Sequence, residues 1–172
     1  MIDETDIENH KILLLEDDPE QMDLMVSFVG EELRKITDDE NISTRRRKKL
    51  QSIQIIKATN IKSLKSAVEV IDGVLLAVLD CNTPDEKDGE PNDQFVKTKH
   101  KITGQHQSVD IVRKGLPDTP ITMVSSLNRF KTIINQYYQK EYDINVNFIR
   151  KADAPIIQRN IRYYLRKYLK SL

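Results

Sequence analysis

Residues 74–84 read VLLAVLDCNTP. An unbroken apolar run, Val74 to Leu79, stops at Asp80. A run this short, with no polar alternation, predicts a β-strand buried on both faces, as in a parallel sheet. An acid directly after such a strand falls at the carboxyl edge of the sheet, where open α/β proteins bind their ligands. Asp80 is therefore the first candidate for chemistry.

Working outward, the same arrangement recurs. KILLL (residues 11–15) is a second buried run, closed by Glu16, Asp17 and Asp18. Asp18-Pro19 marks a helix start, an Asx cap followed by proline at the first helical position. Met22, Met25, Val26, Val29, Leu33 and Ile36 then recur at helical spacing. Ile53 to Lys57 is a strand, Ser63 to Ile71 a helix with Leu64, Ala67, Val68 and Ile71 on one side, and Asp72-Gly73 the turn after it. Beyond Asp80, Val109, Val112 and Leu116 belong to a short helix. Ile121 to Val124 is a strand ending at Ser125. Asn128 to Tyr138 is a helix, Val146 to Ile149 a strand ending at Arg150-Lys151, and Pro155 to Leu169 a closing helix. Strand and helix alternate five times, which predicts an α/β fold: a doubly wound, five-stranded parallel sheet with helices on both faces.

Two stretches break the alternation. Thr37 to Ser52, which contains the basic run Arg45 to Lys49, is expected to be a solvated connection or an extension of the preceding helix. Cys81 to Gln107 is polar and rich in Asp, Lys, Pro and Gly, and is expected to be a long loop without structure. Residues 1–9 are expected to be disordered or extended. Residues 10–172 are expected to form one domain, with no room left for another.

Composition narrows the function classes. Hydrophobic residues make up 38% and charged residues 31%, a globular balance. Twenty-seven basic residues offset 27 acidic ones, so whole-chain charge suggests neither nucleic acid nor an anionic membrane as partner. The lone cysteine, Cys81, cannot form an internal disulfide. The N-terminus is acidic rather than a basic-then-apolar signal. The longest apolar runs fall far short of the ~20 residues that span a bilayer. The expectation is a cytoplasmic protein.

Several features have plain readings. His10, His100 and His106 lack zinc spacing with Cys81 and read as surface residues. Arg45 to Lys49 reads as a solvated face, with docking of an acidic partner or nucleic acid as the alternative. Tyr163, Tyr164 and Tyr168 read as one side of an amphipathic helix, the alternative being a partner or homodimer surface. An aspartate-nucleophile phosphatase would need a second aspartate two residues after the first, and that position is Asn82.

The strand-end residues suit phosphoryl chemistry. Crowded carboxylates need a cation, and Mg²⁺ is a hard ion that takes oxygen ligands. With Mg²⁺ bound, Asp80 can act as a nucleophile toward phosphorus. Lys151 would neutralise one phosphoryl oxygen and Ser125 would donate a hydrogen bond to another. Such a reaction is mostly positioning and charge stabilisation.

These motifs together resemble the receiver domains of two-component response regulators. KILLLEDDPEQ (11–21) is similar to their first strand and acid pair. LDCNTP (79–84) is similar to their acceptor strand end, with aspartate four positions before proline. ITMVSS (121–126) and NFIRKA (147–152) are similar to their fourth and fifth strand ends. The resemblance covers roughly residues 10 to 170. It implies the flavodoxin-like strand order 2-1-3-4-5, Asp80 as phospho-acceptor, and Mg²⁺ as cofactor. Asp17 would be a direct metal ligand, Glu16 a ligand directly or through water, and Asn82 a ligand through its backbone carbonyl. Ser125 and Lys151 would bind the phosphoryl group. Phe148 would be the aromatic that changes rotamer on activation. Asp18 would be left as the helix cap. The implied partners are a sensor histidine kinase or a histidine phosphotransfer protein, and a downstream protein that the sequence does not identify. The implied role is signalling rather than enzymatic. The alternative is a degenerate receiver, a protein-interaction module that works without phosphorylation.

The sequence departs from the family in three places. Ala152 stands where the family usually has a proline in a cis bond, which leaves the aim of Lys151 open. An insertion at about 85–103 lengthens the acceptor-side loop, and the link before the second strand is also long.

Overall fold

A computed structural model describes residues 10–85, 95–98, 101–126 and 146–172. Five strands, β1 (Lys11–Leu15), β2 (Gln54–Ala58), β3 (Val74–Asp80), β6 (Ile121–Ser125) and β7 (Val146–Arg150), form one sheet in the order β2-β1-β3-β6-β7. All neighbours in it are parallel. Counting these five alone, the order is the expected 2-1-3-4-5. The helices are α1 (Pro19–Thr37), α2 (Thr44–Gln51), α3 (Ile61–Val70), α4 (Gln107–Gly115) and, last, α5 (Ala154–Ser171). The helix expected over 128–138 and the segment 1–9 lie outside the described residues.

The strands divide the interior in two because successive side chains point to opposite faces. Ile12 and Leu14 of β1, Leu76 and Val78 of β3 and Val124 of β6 join α1 and α5 in one core. Leu13, Leu15, Ala77, Leu79, Ile121 and Met123 join α3 and α4 in the other. Both faces of the central strands are thus covered, which is why their sequences read as continuous apolar runs.

Helix starts follow local chemistry. Asp18 Oδ1 accepts hydrogen bonds from the N–H groups of Glu20 (2.9 Å) and Gln21 (3.3 Å), the cap expected of it. Asn60 and Ser63 form a reciprocal capping box, so α3 begins at Ile61, two residues earlier than periodicity suggests. At the far end of α3, Gly73 takes φ 57°, a left-handed conformation that suits glycine. Gly115, at the end of α4, is required by proximity: a Cβ there would lie 2.1 Å from Val68 Cγ1. Between α1 and α5, fully buried Glu32 is paired with Arg162 and with Lys35, and Gln158 Nε2 donates to Glu31 Oε2 at 3.0 Å. Tyr164 and Tyr168 are core residues of α5, whereas Tyr163 faces solvent.

Two expectations are corrected. The segment Thr37 to Ser52 is neither a bare connection nor an extension of α1. It holds a separate helix, α2, capped by Ser43 and anchored by the fully buried Leu50. A single apolar side chain in a basic stretch gives no helical periodicity to read, yet it suffices as an anchor. The polar stretch Cys81 to Gln107 is not a structureless loop either. Within it β4 (Phe95–Thr98) and β5 (Lys101–His106) pair antiparallel, and α4 follows β5 directly.

The two-core arrangement has a measurable consequence. Leu14→Ala, at a fully buried site under α1 and α5, should cost ~2–5 kcal/mol in a urea melt. Val70→Ser, at a site 82% exposed, should stay within ~0.5 kcal/mol.

Candidate functional site

The parallel register brings the candidate residues to one edge. Leu15 pairs with Leu79, so Glu16 and Asp80 follow side by side. Asp80 pairs with Val124, and Ser125 with Arg150, so Ser125 and Lys151 complete the row. Three backbone bonds extend the sheet past the strand ends: Glu16 N–H to Ala58 O (3.0 Å), Cys81 N–H to Val124 O (2.9 Å) and Lys151 N–H to Ser125 O (3.0 Å). They fix the first residue of each loop, which is Glu16 after β1 and Lys151 after β7, while Asp80 and Ser125 are the last residues of their own strands.

The Lys151 ammonium lies between two buried carboxylates, 2.6 Å from Glu16 Oε2 and 3.0 Å from Asp80 Oδ1. Glu16 and Asp80 are almost fully buried, at 1% and 2% exposure. Asp17 is half-buried beside them, and Glu16, Asp17 and Asp80 each offer an oxygen within 4.8 Å of the others. Asp18 N–H donates to Glu16 Oε1 at 3.3 Å. The other oxygen of Asp80, Oδ2, accepts from Asn82 N–H at 3.0 Å and from Thr83 Oγ1 at 3.1 Å.

Charge is out of balance here. Burial, reinforced by the charge of Asp80, pushes the Glu16 carboxyl up to about 7, even with Lys151 pulling the other way. Burial also raises Asp17, and Asp80 adds to the rise. Burial would lower the Lys151 ammonium, but Asp80 and Glu16 more than reverse this and hold it above its usual range. Three carboxylates against one ammonium leave two negative charges in excess when all are ionised. The donors are carboxylate oxygens, the ligand type a hard divalent cation takes. Glu16, Asp17 and Asp80 therefore fit Mg²⁺ by chemistry and by charge.

Glu16, Asp17, Asp80 and Lys151 converge as the sequence suggested. Ser125 is buried at the end of β6, with its carbonyl holding Lys151 in place. Asn82 sits in the turn after Asp80 and is bonded to it through its N–H. Phe148 lies half-buried on β7, three residues before Lys151, packed against the core beneath α3 and α4. No peptide bond among the described residues is cis, so the bond from Lys151 to Ala152 is trans. The lysine reaches both carboxylates without a proline.

Sequence reasoning missed Thr83, which is fully buried and hydrogen-bonded to Asp80. A signal was available: an aspartate whose side chain accepts from the N–H two residues on makes an Asx turn, and such a turn carries the third residue back toward the carboxylate. The next two residues bind the neighbouring helix. The carbonyls of Pro84 and Asp85 accept from Ile61 N–H and Lys62 N–H, both at 3.0 Å.

No protein-family model matches the sequence, and no curated protein matches it. Solved structures do. The receiver domain of NtrX from Brucella abortus is 17% identical, with a TM-score of 0.52 over 90% of this chain and 98% of that one. The non-phosphorylated receiver domain of the stress response regulator RcsB from Escherichia coli is 13% identical, with a TM-score of 0.53 over 93% and 95%. The bacteriophytochrome response regulator AtBRR is 13% identical, with a TM-score of 0.53 over 92% and 94%. Strand order, the placement of the acids and these neighbours agree: the chain has the fold of a response regulator receiver domain.

Proposed function

We propose that this protein is a phosphorylation-controlled signalling module in which Asp80 accepts a phosphoryl group from a phosphohistidine. The donor would be a sensor histidine kinase or a histidine phosphotransfer protein, and the modified protein would change its affinity for a downstream protein. The observation that carries this reading is the half-buried ammonium of Lys151 held between the buried carboxylates of Glu16 and Asp80, with Asp17 beside them.

Each residue has a role. Asp80 presents a carboxylate oxygen to phosphorus. Lys151, already beside that oxygen, would shift to the incoming phosphoryl oxygens as a fixed positive charge. The Ser125 hydroxyl would donate to a phosphoryl oxygen, and Phe148 would respond to its movement. Glu16, Asp17 and Asp80, with the Asn82 carbonyl, would hold Mg²⁺, which supplies charge neutralisation for the transferring group when bound. The competing reading, a receiver that binds partners without phosphorylation, predicts a different result in the first experiment.

Incubation with acetyl phosphate and Mg²⁺ should add the mass of one phosphoryl group to the native protein and none to Asp80→Asn. An unmodified native protein, or an undiminished gain in the variant, rejects the proposal and favours the phosphorylation-independent module.

Metal binding should depend on pH. The metal-free protein holds a proton on Glu16 up to about pH 7, and Mg²⁺ must displace it. Affinity followed by NMR shifts should therefore rise as pH passes through 7. Asp17→Ala should abolish binding, and Glu16→Gln should flatten the pH response.

Stability should show the matching sign. Between the ordinary glutamate value of 4.5 and about 7, the folded state holds more protons on Glu16 than the unfolded state. This contribution is complete below 4.5 and is lost as pH rises toward 7. Urea melts without Mg²⁺ should lose stability across this window, and Glu16→Gln should lose less.

A further inference from the structure

We infer that the basic face of α2 is a docking surface, and that its occupant is the acidic segment of this same chain at residues 3–8. The inference does not rest on the phosphoryl-acceptor reading. It concerns the edge of the sheet where β1 and β2 begin, opposite the edge that carries Asp80.

The charge of the whole chain sums to zero, but it is unevenly placed. The helix α2 carries five cations in a row, Arg45, Arg46, Arg47, Lys48 and Lys49, and no acid. Arg45, Arg46 and Lys48 are exposed, and Arg47 and Lys49 are half-buried. The acids just before the helix do not balance them. Asp38, Asp39 and Glu40 leave residues 38–49 with two positive charges in excess. Asp39 also turns its side chain away: Oδ1 accepts from Asn41 N–H at 3.0 Å and from Asn41 Nδ2 at 3.1 Å. It is the Asp39 carbonyl that accepts from Arg47 Nη2, at 3.4 Å. Residues 3–8 read DETDIE, which supplies the complement: Asp3, Glu4, Asp6 and Glu8, with no base among them.

Position makes the pairing intramolecular. The acidic segment joins the described chain at His10, whose carbonyl accepts from Gln54 N–H at 3.0 Å. Gln54 opens β2 just after α2 ends at Gln51, and Ile53 N–H donates back to the Leu50 carbonyl at 3.2 Å. The His10 ring lies against Tyr168, with centroids 4.4 Å apart. The root of the segment is thus held beside the last turn of α2, where Lys48 and Lys49 sit. A helix of eight residues is about 12 Å long. Six extended residues span ~20 Å, so residues 3–8 can run its whole length. Each exposed ion pair is weak by itself. A tether this short, however, gives an effective concentration of roughly millimolar order, which favours the chain's own acids over those of a dilute partner.

The test uses the full chain. A carbodiimide joins carboxylates to amines that touch, and it should link Lys48 or Lys49 to an acid of residues 3–8, read by peptide mass spectrometry. The yield should fall about fivefold between low salt and ~0.5 M salt, because exposed pairs are screened. A mixture of unlabelled and nitrogen-15-labelled chains should give linked peptides of a single isotope. In NMR spectra, Asp3→Asn, Glu4→Gln, Asp6→Asn and Glu8→Gln combined should shift the amide signals of α2 and leave those of α3 in place. Salt should move the wild-type α2 signals in the same direction, and those of the variant far less. Absence of the link, or α2 signals indifferent to the four substitutions, overturns the inference. Mixed-isotope peptides overturn it in favour of a second copy as occupant. Duplex DNA that shifts the α2 signals of wild type at the same concentration as those of the variant also overturns it, since the face is then open to nucleic acid.

Discussion

The arrangement at the sheet edge depends on one contact, the Lys151 ammonium shared by Glu16 and Asp80. Two carboxylates buried this deeply repel each other and forfeit hydration, and neither would be tolerated as an anion without a nearby cation. A lysine provides only part of the compensation. The remainder appears as the raised protonation of Glu16 and Asp17. The site is stable enough to fold yet still short of positive charge, a condition that a divalent ion relieves.

The rest of the fold keeps that contact in place. Parallel pairing sets β1, β3, β6 and β7 so that neighbouring strands end within one residue of each other, and backbone bonds carry the pairing one residue further. Among the described residues each face of the sheet has its own core, with α1, α5 and Leu50 of α2 on one side and α3 and α4 on the other. On one face, α1 and α5 are joined by the pairing of Glu32 with Arg162 as well as by apolar packing. The close approach of α3 and α4 at Gly115 does the equivalent on the other. Since α1 follows Asp18 and α5 follows Asp153, the helices also fix where the loops bearing the acids and the lysine end.

Most of this was legible in the sequence because buried parallel strands are short, apolar and unbroken. KILLL and VLLAVL state their own boundaries, and the acids that follow could only lie at the strand ends. What was not legible has specific causes. In α2 only Leu50 is buried, so a helix wrapped in arginine and lysine has no stripe to detect. Among the described residues β4 and β5 form a two-stranded sheet of their own, outside the strand–helix alternation that marks the main sheet. Thr83 is a polar residue whose role comes from a turn in three dimensions rather than from its place in a strand. Ala152 stands without a cis bond: the chain passes trans there, and the Lys151 N–H donates to the Ser125 carbonyl where the loop begins.

The anchoring of Pro84 and Asp85 to the start of α3 has a consequence for how this chain can change. The acceptor turn is clamped through residue 85, and on the far side α4 is clamped again by Val109 and Val112 in the core. Everything between is spliced in between two fixed posts. Lengthening such a segment costs little, since closure entropy grows only as the logarithm of length. A change of length between residue 85 and α4 should therefore weigh lightly on closure, and the turn beside Asp80, clamped by its own bonds to α3, should feel little of it.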